Sequence, residues 1–126
     1  VPWPMYAVDG QVNMTYMYLP RTDLPVKDPS EANLGWTQVA RKQTELRAER
    51  TLVTDLIFTW DTLAHKYAKN AAGLNVLWGD GHAKFSTTKA AFDLKLWGPT
   101  GNQWAANEVP GGNSKNFNTI VSLLRP

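Results

Sequence analysis

The chain has 126 residues, 43% hydrophobic and 19% charged, which is enough for one domain with a modest core and too apolar for intrinsic disorder. Lys and Arg number 13 against 11 Asp and Glu, a net charge of +2, and the densest basic stretch, Arg41–Arg50, interleaves Glu45 and Glu49, which argues against a nucleic-acid partner. With no Cys there is no disulfide, thiol nucleophile or cysteine-held metal, and no apolar run approaches the roughly 18 residues of a membrane span.

Six Trp are the unusual part of the composition. Each ring can bury about 150 to 250 Å², so a few can hold together a fold with irregular loops. Val1–Pro4 is a Pro- and Trp-bearing entry, and Asp9-Gly10 is a turn leading into an aromatic and β-branched strand near 12–19 that Pro20 ends. Arg21–Asn33 has two Pro and no periodic apolar pattern, and reads as a long surface loop. From Leu34 the spacing of Trp36, Val39, Ala40, Gln43 and Leu46 predicts a short amphipathic helix. Thr51–Trp60 is the strongest apolar run and predicts a buried strand over 51–58, with Asp55 as its anomaly. Asp61 reads as the cap of a helix through Lys69 or Ala71, with Leu63, Tyr67 and Ala71 on its apolar face and Gly73 as its stop.

Gly73–Phe85 predicts a compact β-hairpin, with strands near 74–78 and 83–86. Gly79-Asp80-Gly81 builds its reversal: two glycines able to take positive φ flank an Asp whose side chain can bond its own backbone. Ser86 or Thr87 can then cap a short helix through Lys95, with Ala91, Leu94 and Trp97 packing inward until Gly98-Pro99. Asn102–Asn118 is loop-like, and Thr119–Leu124 reads as a last strand or a docked tail. The fold class is therefore α+β, a small antiparallel sheet with short helices in a single domain over 1–126.

Chemistry is sparse. His65 and His82 are the two histidines, and neither has a neighbouring nucleophile and carboxylate that spacing alone would assemble, so both read as structural or solvent-exposed. A carboxylate inside TLVTDLIF is costly to bury unless it is bonded. Two readings stay open: Asp55 approaches Asn75 or Asp80 and holds Ca²⁺ with them, or it accepts bonds from backbone N–H groups or a Ser/Thr hydroxyl and pins a loop. Trp97 and Trp104 flank a Gly-Pro-Thr-Gly loop that could frame a carbohydrate or peptide groove, or else they seal the core. No nucleophile elbow, phosphate loop or zinc-helix motif is present, so the chain reads as a structural or assembly module rather than an enzyme.

Asn75-Val76-Leu77-Trp78-Gly79-Asp80-Gly81-His82-Ala83-Lys84-Phe85 resembles the carboxyl-terminal signature of prepilin-type proteins related to type II secretion pseudopilins. That signature is a His, nine residues and Asp-Gly, with an Asn-Val-Leu-aromatic strand before the reversal. Asp55 in TLVTD is similar to an Asp that often ends the preceding strand in the family. The first motif position falls here on Asn70, and His65 lies five residues earlier. The resemblance covers Thr51–Phe85. It implies a structural motif of Asn70, Asn75, Asp80 and Gly81 and a soluble head of antiparallel sheet packed on a membrane-anchored amino-terminal helix, of which this chain would be the head alone. It also implies a periplasmic or extracellular location, other pilin-like subunits and secretion-system components as partners, and a Ca²⁺ site near Asp55 or Asp80.

Overall fold

The computed structural model describes residues 15–57, 60, 63–67, 70–71, 73–97 and 114–126. The apolar and β-branched segments pair into a four-stranded antiparallel sheet in the order β1 (Tyr16–Tyr18), β4 (Thr51–Asp55), β7 (Leu74–Trp78) and β8 (Ala83–Ser86). The hairpin strands β7 and β8 fall where the turn chemistry places them. The buried strand ends at Asp55 rather than at 58, after which the Leu56 N–H still reaches the Thr15 carbonyl at 3.0 Å. Strand β1 occupies the later part of the expected 12–19, and its earlier part lies outside the described residues.

Register explains what period two left open. In β7, Leu74, Val76 and Trp78 face the core, while Asn75 and Leu77 face away. In β4 both Thr51 and Thr54 are buried, although three positions apart would put them on opposite faces of a regular strand. Thr51 opposes Trp78 while Val53 opposes Leu77, so one extra residue is inserted between them, and this bulge turns both threonines inward.

The covered side of the sheet is closed by helix α3 (Ser114–Leu123). Phe117, Ile120, Val121 and Leu124 recur at three- and four-residue spacing and bury against Leu74, Val76 and Trp78. The expected last strand or tail over Thr119–Leu124 is thus largely a helix, and it begins inside the stretch that reads as the Asn102–Asn118 loop. Its apolar stripe runs back to Phe117, across an Asn-rich boundary that conceals it.

Elsewhere the chain departs from expectation for identifiable reasons. Arg21–Asn33 holds strand β2 (Arg21–Pro25) and helix α1 (Pro29–Asn33), the latter capped by Asp28, whose Oδ1 accepts the Ser30 N–H at 2.9 Å, with Pro29 opening the first turn. No helix spans Leu34–Leu46. Gly35 turns away with φ +84, Thr37–Val39 forms β3 and pairs with β2, and Gln43–Glu45 makes a single 3₁₀ turn. Trp36 packs on Phe117, with ring centroids 5.9 Å apart, and lies under the Arg21 guanidinium at 5.1 Å, so its anchoring is tertiary rather than helical.

Among the described residues the helix expected after Asp61 does not form. Trp60 and Leu63 enter the core, and Lys66–Tyr67 (β5) pairs with Asn70–Ala71 (β6), which uses backbone groups that a helix would need. The Ser86–Lys95 helix splits in two. A 3₁₀ turn at Lys89–Phe92 is followed by α2 (Leu94–Trp97), because Asp93 is extended and its Oδ1 caps α2 through the Lys95 N–H at 2.9 Å. Among the described residues no helix is long and apolar enough to cross a membrane.

Candidate functional site

The chemistry-bearing side chains gather at two ends of β7. At the reversal, the Gly81 N–H reaches the Trp78 carbonyl at 2.9 Å and the Trp78 N–H reaches the His82 carbonyl at 3.0 Å. Gly81 sits at φ +92, a conformation L side chains rarely adopt. Gly79 is required for a different reason: a Cβ there would run into the Arg47 carbonyl, because the tip is stitched to the 47–50 segment through Gly79 N–H to Arg50 O (2.9 Å) and Asp80 N–H to Ala48 O (3.2 Å).

Asp80 accepts the His82 N–H at 3.0 Å and the His82 ring Nδ1, and the ring stacks on Trp78 at 4.6 Å between centroids. The His82 backbone N–H, and after it the ring, hold the Asp80 carboxyl below the ordinary carboxylate range. On the buried side, Trp78 Nε1 donates to the Leu124 carbonyl at 2.8 Å, and the Thr51 hydroxyl donates to the same carbonyl at 2.9 Å. The reversal is therefore a clasp. It fixes the sheet edge, the 47–50 segment and the end of α3 through one Trp.

At the other end, Asp55 is buried and meets Asn75, whose backbone N–H donates to Oδ2 at 2.7 Å and whose Nδ2 donates to it at 3.1 Å. The reading in which Asp55 accepts backbone N–H groups matches this geometry. Asp80 does not join it: about 10 Å of strand separates Asn75 from Trp78 at roughly 3.3 Å per residue, and the reversal lies beyond. Asp55 and Asp80 thus supply no common Ca²⁺ site. Among the described residues no group of three His, Asp or Glu side chains could hold a metal ion.

His65, which local spacing leaves unassigned, completes this cluster. Its Nε2 lies 3.2 Å from Asn75 Nδ2 and 3.6 Å from Asp55 Oδ2, and its ring stands edge-on to Phe85 at 5.3 Å. With the proton on Nδ1, Nε2 accepts one hydrogen of the Asn75 amide while Asp55 takes the other. The reach of His65 has a plain cause. The Gly73 N–H bonds the His65 carbonyl at 3.2 Å, so the β5/β6 ladder is looped out and position 65 is returned to the start of β7. Asn70, the motif's first position, pairs with Tyr67 in that ladder.

Trp97, a proposed wall of a ligand groove, is fully buried; its Nε1 donates to the Ala91 carbonyl at 2.8 Å and it meets Trp60 edge-on at 6.0 Å. Trp104 lies outside the described residues. Comparison of the chain with protein-family models, with curated proteins and with solved structures finds no match.

Proposed function

We propose that the chain is the head domain of a pseudopilin-like protein, a structural part of a type II secretion or surface-filament assembly system, working in the periplasm or outside the cell beside other pilin-like subunits. The observation that carries this reading is the β7–β8 hairpin, in which Asn75, Val76, Trp78, Gly79, Asp80, Gly81 and His82 of the Asn-Val-Leu-Trp-Gly-Asp-Gly-His run each have a structural task. The looped-out ladder adds support, since it brings His65 to Asn75 and Asp55 although the motif's first position holds Asn70.

The sheet supports the same reading. Its second face carries Tyr16, Tyr18, Val53, Leu77 and Phe85, with both tyrosines and Phe85 exposed. In a pilin-like assembly this is the side on which an anchoring helix or a neighbouring subunit would lie. The chain has no Cys, so Tyr18→Cys in the full-length gene product gives one reactive thiol if the remainder also lacks them. Thiol cross-linking in membranes should then join Tyr18→Cys to the protein's own amino-terminal helix or to a second pilin-like subunit. A protein that stays monomeric and uncross-linked on this face argues against the assembly role.

A further inference from the structure

The segment between β3 and β4 borders two clefts that meet at Arg41. The first, about 410 Å³, runs over the Gly79-Asp80-Gly81 reversal between Tyr18, Leu46 and Leu52, with Arg41 and Lys42 at its rim. The second, about 730 Å³, continues past Arg41 toward Lys27 and the exposed Leu24 and Val39. Both volumes suit a short chain segment rather than an ion, given the range of roughly 300 to 1,000 Å³ for ligand sites.

The charges are what identify the occupant. Along the clefts Asp23 is neutralised by Arg47 (3.0 Å) and Arg50 (2.9 Å), whereas Glu45, on the Arg41 backbone N–H (2.7 Å), and Asp80, on His82, are hydrogen-bonded but keep their carboxylate charge. The side chains of Lys27, Arg41 and Lys42 make no ion pair among the described residues. Among the described residues the groove thus sets three unpaired cations against two carboxylates, beside apolar walls. We propose that it binds an extended, acidic segment of another protein, with an apolar side chain seated between Tyr18 and Leu46 and carboxylates on Arg41, Lys42 and Lys27. The groove shares Tyr18 with the sheet face discussed above, but Lys27, Arg41 and Lys42 belong to the groove alone, and it stands or falls without the pseudopilin reading.

The test uses fluorescence anisotropy of the purified chain with a short labelled peptide rich in Glu around one central Phe. Saturable binding is expected, weakened roughly tenfold or more in R41E/K42E and in high salt, and weakened by Tyr18→Ser through the apolar contact. The neutral pair R41Q/K42Q reads the same charge effect if the double reversal lowers the melting temperature. Equal binding of the peptide with Lys for Glu, equal binding of an oligonucleotide of the same charge, or affinity unchanged in R41E/K42E would overturn the proposal, as would no saturable binding.

Discussion

Two glycines in one reversal are needed for different physical reasons, and single substitutions separate them. Gly81→Ala meets nothing with its new Cβ but must hold φ +92, so it should cost about 1 kcal/mol. Gly79→Ala pushes the Cβ into the Arg47 carbonyl and must displace the 47–50 segment, with a cost at the upper end of roughly 1 to 3 kcal/mol. Urea denaturation should rank Gly79→Ala as the more damaging, and the reverse order would show that the stitch to Arg47 is not formed. Asp80 belongs to the same turn. A carboxyl depressed on folding contributes stability above its unfolded value, ordinarily near 3.8, and loses that contribution as pH falls through the lower folded value. Asp28 is depressed in the same way, first by the Ser30 hydroxyl and then by its N–H. Stability should therefore decline on the acid side in the wild type and more shallowly in Asp80→Asn, read as urea midpoints from about pH 5 to pH 2. Superimposable acid limbs would contradict a role for the Asp80–His82 pairing. Asp55→Ala strips the acceptor from the Asn75 backbone N–H and should cost about 1 to 3 kcal/mol.

Elements whose instructions are local were legible in the sequence, and those whose instructions are tertiary were not. The β7–β8 hairpin could be placed from Gly79-Asp80-Gly81 because a tight reversal is written in the residues that make it. Helix α1 is an exception: its instructions are local, in Asp28-Pro29-Ser30-Glu31, yet Arg21–Asn33 reads as a loop because two prolines and the lack of an apolar period obscure it. The stretch from Leu34 to Leu46 misled because Trp36 and Val39 answer to β2, Arg21 and Phe117 rather than to their own neighbours. At the candidate site, the Asp55–Asn75 contact could be anticipated from an isolated buried acid. His65 could not, because its arrival depends on a two-residue ladder between it and Gly73. The clasp makes its own prediction at this scale. Trp78→Phe keeps the buried ring but loses the bond to the Leu124 carbonyl, and should lower stability by about 1 kcal/mol. Hydrogen exchange in α3 should quicken more than in β1, and an unchanged α3 would place its anchoring elsewhere.

Across the whole molecule, conspicuous residues are spent on architecture. Trp60, Trp78 and Trp97 are in the core, Asp80 and His82 complete a turn, and Asp55 with Asn75 and His65 ties the start of β7 to the end of β4. Among the described residues, the two surfaces proposed for partners are an aromatic sheet face and the groove at Arg41. A structural head in an assembly needs such surfaces more than it needs a reactive centre, which is the physical sense of the pseudopilin reading. Its most direct test is the amino terminus of the full-length gene product, expressed with and without a prepilin peptidase and weighed by mass spectrometry. Peptidase-dependent loss of a short basic leader, with methylation of the new terminus ahead of roughly 20 apolar residues, is the expected result. Cleavage by a conventional signal peptidase, leaving no apolar helix, would contradict it.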